Sequence, residues 1–261
     1  MQGKILELLN EIEKAHNVKV IYACESGSRA WGFPSTDSDY DVRFIYLRPA
    51  SAYLSANLTW AEKELGIKDN LSDQSEDGID LVGWDLPKAL GLLVSSNPPL
   101  YEWLGSPIVY LEENQTIARL RVLANRIYSL RTNSYHYLHM ANNNWENYLK
   151  GDLVWLKKYF YVLRPVLAVQ WLEAGYGVVP TEFAILVERL VKDKALKAAI
   201  DDLLKAKLAG AELGAGPRVP VIDAFLEANL ERMGAGNYDQ PRHEVDYAGL
   251  TDFFLETVGG R

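Results

Sequence analysis

The chain has 261 residues, 48% of them apolar and 24% charged, with a formal net charge of -8. That length and balance describe an ordinary soluble globular protein of one large or two modest units, with no apolar run near the roughly 20 residues that a bilayer demands. The acidic balance argues against a protein that grips nucleic acid non-specifically, yet leaves a polynucleotide end open as substrate, because local patches and metal ions reverse the field.

The first segment, "MQGKILELLNEIEKAHN", sets Ile5, Leu8, Leu9 and Ile12 on one helical face. It has neither the basic start nor the unbroken apolar centre of a signal peptide, so a cytoplasmic protein without a membrane partner is expected. Residues 18 to 25, "VKVIYACE", read as a strand. They hold the one cysteine, Cys24, which excludes an intramolecular disulfide and a cysteine-based zinc site and reads as a small core residue. "SGSRAWGF" follows with turn chemistry and room for one helical turn. A second strand is expected over 40 to 47, a third over 78 to 84, and a polar, irregular stretch between them with a short helix near "TWAEKEL". Asp85 stands where a helix N-cap belongs, ahead of Pro87 and "KALGLLV". Beyond residue 115 helical periodicity takes over, at 115 to 131, 134 to 150, 152 to 174, 181 to 191, 193 to 209 and 220 to 233, with no clear strand. Residues 209 to 220 read as a flexible connector, and "YAGLTDFFLETV" as a final helix. The fold class expected is therefore α+β. A mixed-sheet unit with flanking helices over 1 to 108 precedes an all-helical unit over 109 to 261, with a ligand cleft between them.

The chemistry concentrates in "ESGSRAWGFPSTDSDYDVRF". Asp39 and Asp41 are one residue apart, so on a strand their carboxylates share a face. Two such charges repel unless a cation sits between them, and oxygen-only ligands suit Mg²⁺ or Mn²⁺ rather than zinc. Gly27 lets the backbone approach a bulky anion, and the Ser28 hydroxyl with nearby N–H groups suits a phosphate. Asp80, isolated between Ile79 and Leu81, supplies a third carboxylate if its strand neighbours the second. Three such acids can hold two metal ions. Asp37 reads as a turn residue.

A Gly-Ser turn, then Asp-x-Asp on one strand and a lone Asp on another, resembles the nucleotidyltransferase fold of the DNA polymerase β superfamily. The longer string, with "IDLVGWDLPKAL", "SPIVY" and "KKYFYVLRP", looks like its RNA-ligase-associated branch over about residues 20 to 190. The resemblance implies Gly27, Ser28 and Arg29 at the triphosphate, and Asp39, Asp41 and Asp80 as catalytic metal ligands. Gly32, Ser38 and Arg43 also match the branch's pattern.

In "WLKKYFYVLRP", Lys157, Tyr161 and Arg164 fall on one helical face with Lys158 beside them. A triphosphate across the cleft would suit two cations and a phenol, and helical domains of the superfamily often supply such a lysine. His136 and His139 are spaced i, i+3, but no third ligand accompanies them, so they read as packed or cleft-lining side chains. Glu102, Tyr101 and Trp103 read as packing at the junction of the two units. The activity implied is transfer of a nucleoside monophosphate from an NTP, ATP first, to a hydroxyl acceptor such as an RNA end, with two Mg²⁺ or Mn²⁺ ions. A small-molecule or protein acceptor, an NTP- and metal-binding regulatory or antitoxin-type partner without turnover, and a phosphohydrolase stand as alternatives.

Overall fold

The computed structural model describes residues 1–54, 70–74, 78–210, 213–236, 238 and 245–259. A five-stranded mixed sheet organises the first part of the chain in the order β3-β4-β2-β1-β5. Its strands are β1 (Lys19–Glu25), β2 (Tyr40–Leu47), β3 (Asn70–Gln74), β4 (Ile79–Asp85) and β5 (Val109–Glu112). β2 and β4 run parallel, and the other pairs are antiparallel. β1 is buried from Val20 to Glu25, as expected of an apolar strand with neighbours on both sides.

Each face of the sheet has its own core. Helix α1 (Gln2–His16) lays Ile5, Leu9 and Ile12 against Val20, Ala23, Val42, Phe44, Tyr46 and Leu81. The helix stops at Asn17, whose backbone is left-handed at φ 50 and ψ 51, a conformation that asparagine tolerates. On the same face Phe44 lies over Gly83, its register partner, in space that any Cβ would occupy. Ile21, Tyr22, Cys24, Ile45 and Leu47 join the larger core, which continues through the helices to Leu250 and Phe253. Cys24 is fully buried, and that burial pushes its thiol up to about 12, in keeping with a core residue.

The helices of the second part are α6 (Asn114–Ile127), α7 (Leu130–Tyr148), α8 (Lys158–Glu173), α9 (Phe183–Leu190), α10 (Lys194–Leu208), α11 (Pro220–Gly234) and α12 (Tyr247–Gly259). The shorter α2 (Gly27–Ala30), α3 (Ala50–Tyr53), α4 (Leu86–Val94) and α5 (Pro98–Leu104) lie in the first part. Side-chain caps mark several starts: Ser129 accepts from Thr132 N–H at 3.2 Å and Asp193 from Leu196 N–H at 2.7 Å.

Four expectations need correction. The boundary at residue 108 cuts off β5, which pairs with β1 and belongs to the sheet. The second part is not wholly helical, because β6 (Leu153–Trp155) pairs with β7 (Ala215–Pro217). That pairing delays α8 to Lys158 and orders part of the expected connector. The polar stretch contains an edge strand, β3, while the helix expected near 59 to 65 lies outside the described residues. Asp85 does occupy the N-cap position of α4, but its side chain makes no cap bond. It pairs instead with Arg48 Nε at 2.9 Å and accepts from the Tyr53 hydroxyl at 2.5 Å.

Candidate active site

The Gly-Ser turn is fixed by what it must avoid. Ser26 N–H donates to the Asp41 carbonyl at 2.8 Å, which brings the end of β1 against the start of β2. Gly27 then takes φ +59, and a Cβ there would overlap Asp41 Oδ2. Glycine is needed at 27 for its backbone angle and for the room that the carboxylate occupies. Gly27→Ala is therefore expected to displace Asp41 and to lower the turnover of any reaction that uses this carboxylate about 10²-fold. A thermal melt should show only a modest loss, of about 1–2 kcal/mol; unimpaired turnover would mean that the turn does not set the carboxylate.

The residues after it tie the loop together. Ser28 Oγ lies 3.2 Å from Ser38 Oγ, which also accepts from Ser35 N–H at 2.9 Å. Arg29 donates from Nη2 to the Ser38 carbonyl at 2.6 Å and from Nε to the Asp39 carbonyl at 3.1 Å. Its guanidinium also lies 3.8 Å from the centre of the Tyr40 ring. Arg29 thus clamps the loop that carries Asp39, and these bonds already use much of its donor fork.

Asp41 and Asp80 are direct partners across the parallel β2–β4 pair. A single nitrogen, Arg43 Nη2, lies 2.8 Å from Asp41 Oδ1 and 2.9 Å from Asp80 Oδ2. Burial pushes the Asp41 carboxyl above the usual range; Arg43 opposes this, while Asp80 and Asp39 add to it. Asp39 is placed differently. It stands just before β2 (Tyr40–Leu47), beside Gly78 at the start of the β4 side of the ladder. Its Oδ1 sits 3.0 Å from where a Cβ on Gly78 would stand. Among the described residues no three His, Cys, Asp or Glu side chains form a group that could hold a metal. The expected convergence of three acids is thus two acids on a common point, with the third near enough for its charge to bear on Asp41.

One participant was not singled out by its sequence context. Glu25, the last residue of β1, is fully buried. Its Oε1 accepts from Asp41 N–H at 2.8 Å, and its Oε2 accepts from the Tyr110 hydroxyl on β5. Burial pushes this carboxyl up despite both bonds. An acid ending an apolar strand directly before Ser-Gly-Ser was the available signal. Arg43 was seen only as part of a pattern, and the structure makes it the cation between the acids.

The helical part reaches the site through aromatic rings. Trp31 packs edge-on to Tyr161 at 5.4 Å, Phe33 stacks on Phe160 at 4.7 Å, and Phe183 N–H donates to the Trp31 carbonyl at 3.0 Å. Lys158 Nζ lies 4.2 Å from the Tyr148 ring centre and 4.7 Å from that of Tyr161. Partial burial, with Lys157 adjacent, lowers the Lys158 ammonium below the usual range. Lys158 and Tyr161 are thus linked to the Gly-Ser turn through Trp31.

Arg164 meets the same Trp31 ring, its guanidinium 5.0 Å from the ring centre, but does so from the interior. It is 2% exposed, with Nη1 on Glu102 Oε1 at 2.6 Å and Nη2 facing the Pro180 and Thr181 carbonyls. The helical face shared by Lys157, Tyr161 and Arg164 sinks into the core by its third member. The charge is spent on Glu102, which also takes contacts from the Tyr137 hydroxyl at 3.2 Å and Trp31 Nε1 at 3.4 Å. Of the two histidines, His139 Nε2 meets Asn143 at 2.9 Å. His136 is held below its ordinary value by burial and by His139.

Residues 1–256 match the family model described as the RNA repair pathway DNA polymerase beta family. The chain is 45% identical over 259 residues to the uncharacterized protein YcgL of Bacillus subtilis (strain 168), covering 99% of this chain and 96% of that one. Among solved structures, a nucleotidyltransferase-like protein from Exiguobacterium sibiricum 255-15 aligns over 98% of this chain and 88% of its own, at 11% identity and a TM-score of 0.34. No helix of the described residues is long and apolar enough to cross a membrane. Matched over nearly its whole length, the chain belongs to the RNA repair pathway DNA polymerase beta family, with the general nucleotidyltransferase role and nucleotide substrate that this family carries.

Proposed function

We propose that the protein is a metal-dependent nucleotidyltransferase that moves a nucleoside monophosphate from an NTP, ATP first, to a hydroxyl acceptor and releases pyrophosphate. The observation that carries this reading is the meeting of Asp41 and Asp80 on one cationic nitrogen, beside a glycine whose missing Cβ makes room for Asp41. Two hard oxygens from adjacent strands, already gathered on a cation, fit Mg²⁺ or Mn²⁺, with Asp39 nearby as third donor. Bound divalent ions would supply charge neutralisation on the triphosphate and a more acidic acceptor hydroxyl.

The remaining roles fall to this chain's own groups. The Gly27-Ser28 turn holds the triphosphate against the acids, and Glu25 fixes the backbone from which Asp41 projects. Lys158, with Lys157 before it, neutralises the leaving pyrophosphate, and Tyr161 orients the nucleotide against Trp31. Arg29 acts on the loop, and Arg164 has no part in phosphate binding, being paired in the interior. Lys158→Ala is then expected to weaken binding of a fluorescent ATP analogue about tenfold or more, the loss of one charge-assisted contact, without moving the melting temperature. An unchanged Kd would remove Lys158 from the nucleotide site.

The acceptor we propose is an RNA end, on the family description alone. The decisive experiment supplies each labelled NTP with Mg²⁺ and total RNA and follows both label and pyrophosphate. Label should enter RNA from one NTP, with a rate that falls steeply as salt rises, because phosphate contacts release counterions. Label in a small molecule or protein, at a rate indifferent to salt, would replace the acceptor and leave the chemistry standing. No pyrophosphate from any NTP would overturn the chemistry.

A further inference from the structure

The contacts of Arg43 lie on the same oxygens that the proposed metal needs. Nη2 touches Asp41 Oδ1 at 2.8 Å and Asp80 Oδ2 at 2.9 Å. Nη1 is held separately, on the carbonyls of Val42 and Asp80, each at 3.1 Å. One half of the guanidinium therefore serves as counterion, while the other half is moored to the backbone of β2 and β4. The Arg43 side chain is 17% exposed, and those of Asp41 and Asp80 are 32% and 35% exposed. At that depth charges act on one another more strongly than in open water. The two acids face each other across adjacent strands and would repel without a cation between them.

We infer that Arg43 is an exchangeable counterion: it holds Asp41 and Asp80 together and competes with a divalent ion for their oxygens, so that the ion enters with the triphosphate rather than ahead of it. This rests on the metal reading under Proposed function. A dication arriving alone must displace Nη2 while Arg43, still moored through Nη1, keeps its positive charge nearby. A dication arriving on a nucleotide brings phosphate negative charge, which offsets that repulsion and gives the displaced guanidinium a new anionic partner. Arg43 is in this sense a positioning residue that sets the order of binding.

The test is Mn²⁺ binding to the full chain, followed by the loss of the free-ion electron paramagnetic resonance signal, with and without a non-hydrolysable ATP analogue. Wild type should bind Mn²⁺ weakly alone and at least tenfold more tightly with the analogue. Arg43→Gln should tighten binding of Mn²⁺ alone about tenfold and shrink the analogue's effect. Arg43→Lys, which keeps a cation in place, should stay within about threefold of wild type. Unchanged or weaker binding of Mn²⁺ alone by Arg43→Gln would overturn the inference while leaving the metal site intact, provided that Asp41→Asn abolishes binding. Absence of Mn²⁺ binding to wild type in either condition would sink the metal reading, and this inference with it. Should Arg43→Gln fail to fold, the wild-type Arg43 Nε–H resonance decides. A larger shift with Mg²⁺ and the analogue together than with Mg²⁺ alone supports the exchange, and equal shifts refute it.

Discussion

Asp41→Asn is expected to abolish nucleotide transfer, with a loss on the order of 10³-fold or more, in a protein that melts close to the wild-type temperature. The reason lies in what the substitution leaves alone. Asp41 is held by its backbone: its N–H donates to Glu25 and its carbonyl accepts from Ser26 N–H. Both bonds survive in asparagine. The ionised carboxylate is itself unfavourable in this setting, since burial and the neighbouring acids push its proton affinity up against the opposing effect of Arg43, so a neutral amide of the same shape costs the fold little while Arg43 keeps Asp80 as its counterion. What disappears is one of the two negative oxygens that converge beside Gly27. Asp80→Asn should behave alike, as its register partner, and Asp39→Asn should follow if the third acid joins them on a metal. Labelled pyrophosphate release, measured beside a circular dichroism melt, checks all three. An Asp41→Asn enzyme within tenfold of wild type would end the assignment.

The sequence disclosed the parts of this site more readily than their arrangement. α1, β1, β2 and β4 were legible because their apolar residues recur at helical or strand periods, and burial enforces those periods. The long helices of the second part were legible for the same reason. β3, "NLSDQ", is a polar edge strand with almost no apolar signal, and β6 and β7 find each other across some sixty residues of chain. Pairing of that kind is decided in three dimensions. The same limit governed the site. Asp39-x-Asp41 reads as two acids on one face, but the sequence does not show that Asp39 sits beside Gly78 while Asp41 sits beside Gly27. That Asp41 and Asp80 face each other follows from the parallel β2–β4 register, which the order of the strands in the chain does not specify. The family resemblance puts Arg29 at the triphosphate, and a helical face shared with lysines puts Arg164 there. Their actual partners are carbonyls and a glutamate brought in by the fold.

Arg164 offers the sharpest contrast between the two readings, because each assigns it a different kind of loss. As a phosphate ligand it would cost activity and little stability. As the interior partner of Glu102 it should cost stability first. Its side chain is 2% exposed and that of Glu102 12%. Burial works against the Arg164 charge, yet Glu102 and Tyr137 together outweigh it and hold the guanidinium's proton more tightly than usual. Arg164→Met would leave Glu102 buried with only the Tyr137 hydroxyl and the Trp31 indole as partners. Stranding one member of a buried pair costs about 3–5 kcal/mol, or on the order of 10 °C in melting temperature for a chain of this size. Glu102→Gln should cost a comparable amount by stranding the guanidinium. Removing both charges is the informative case. An Arg164→Met, Glu102→Gln double variant leaves neither ion uncompensated, so its loss should fall well short of the sum of the single losses. Additive losses, or an Arg164→Met protein that melts normally but no longer binds nucleotide, would return Arg164 to the cleft. If the coupling is found, this pair is what anchors α8 to α5, since Glu102 lies on α5 and its second oxygen meets Trp31, which packs on Tyr161. The lysine-bearing helix would then be held against the Gly-Ser turn by a charge that never touches substrate.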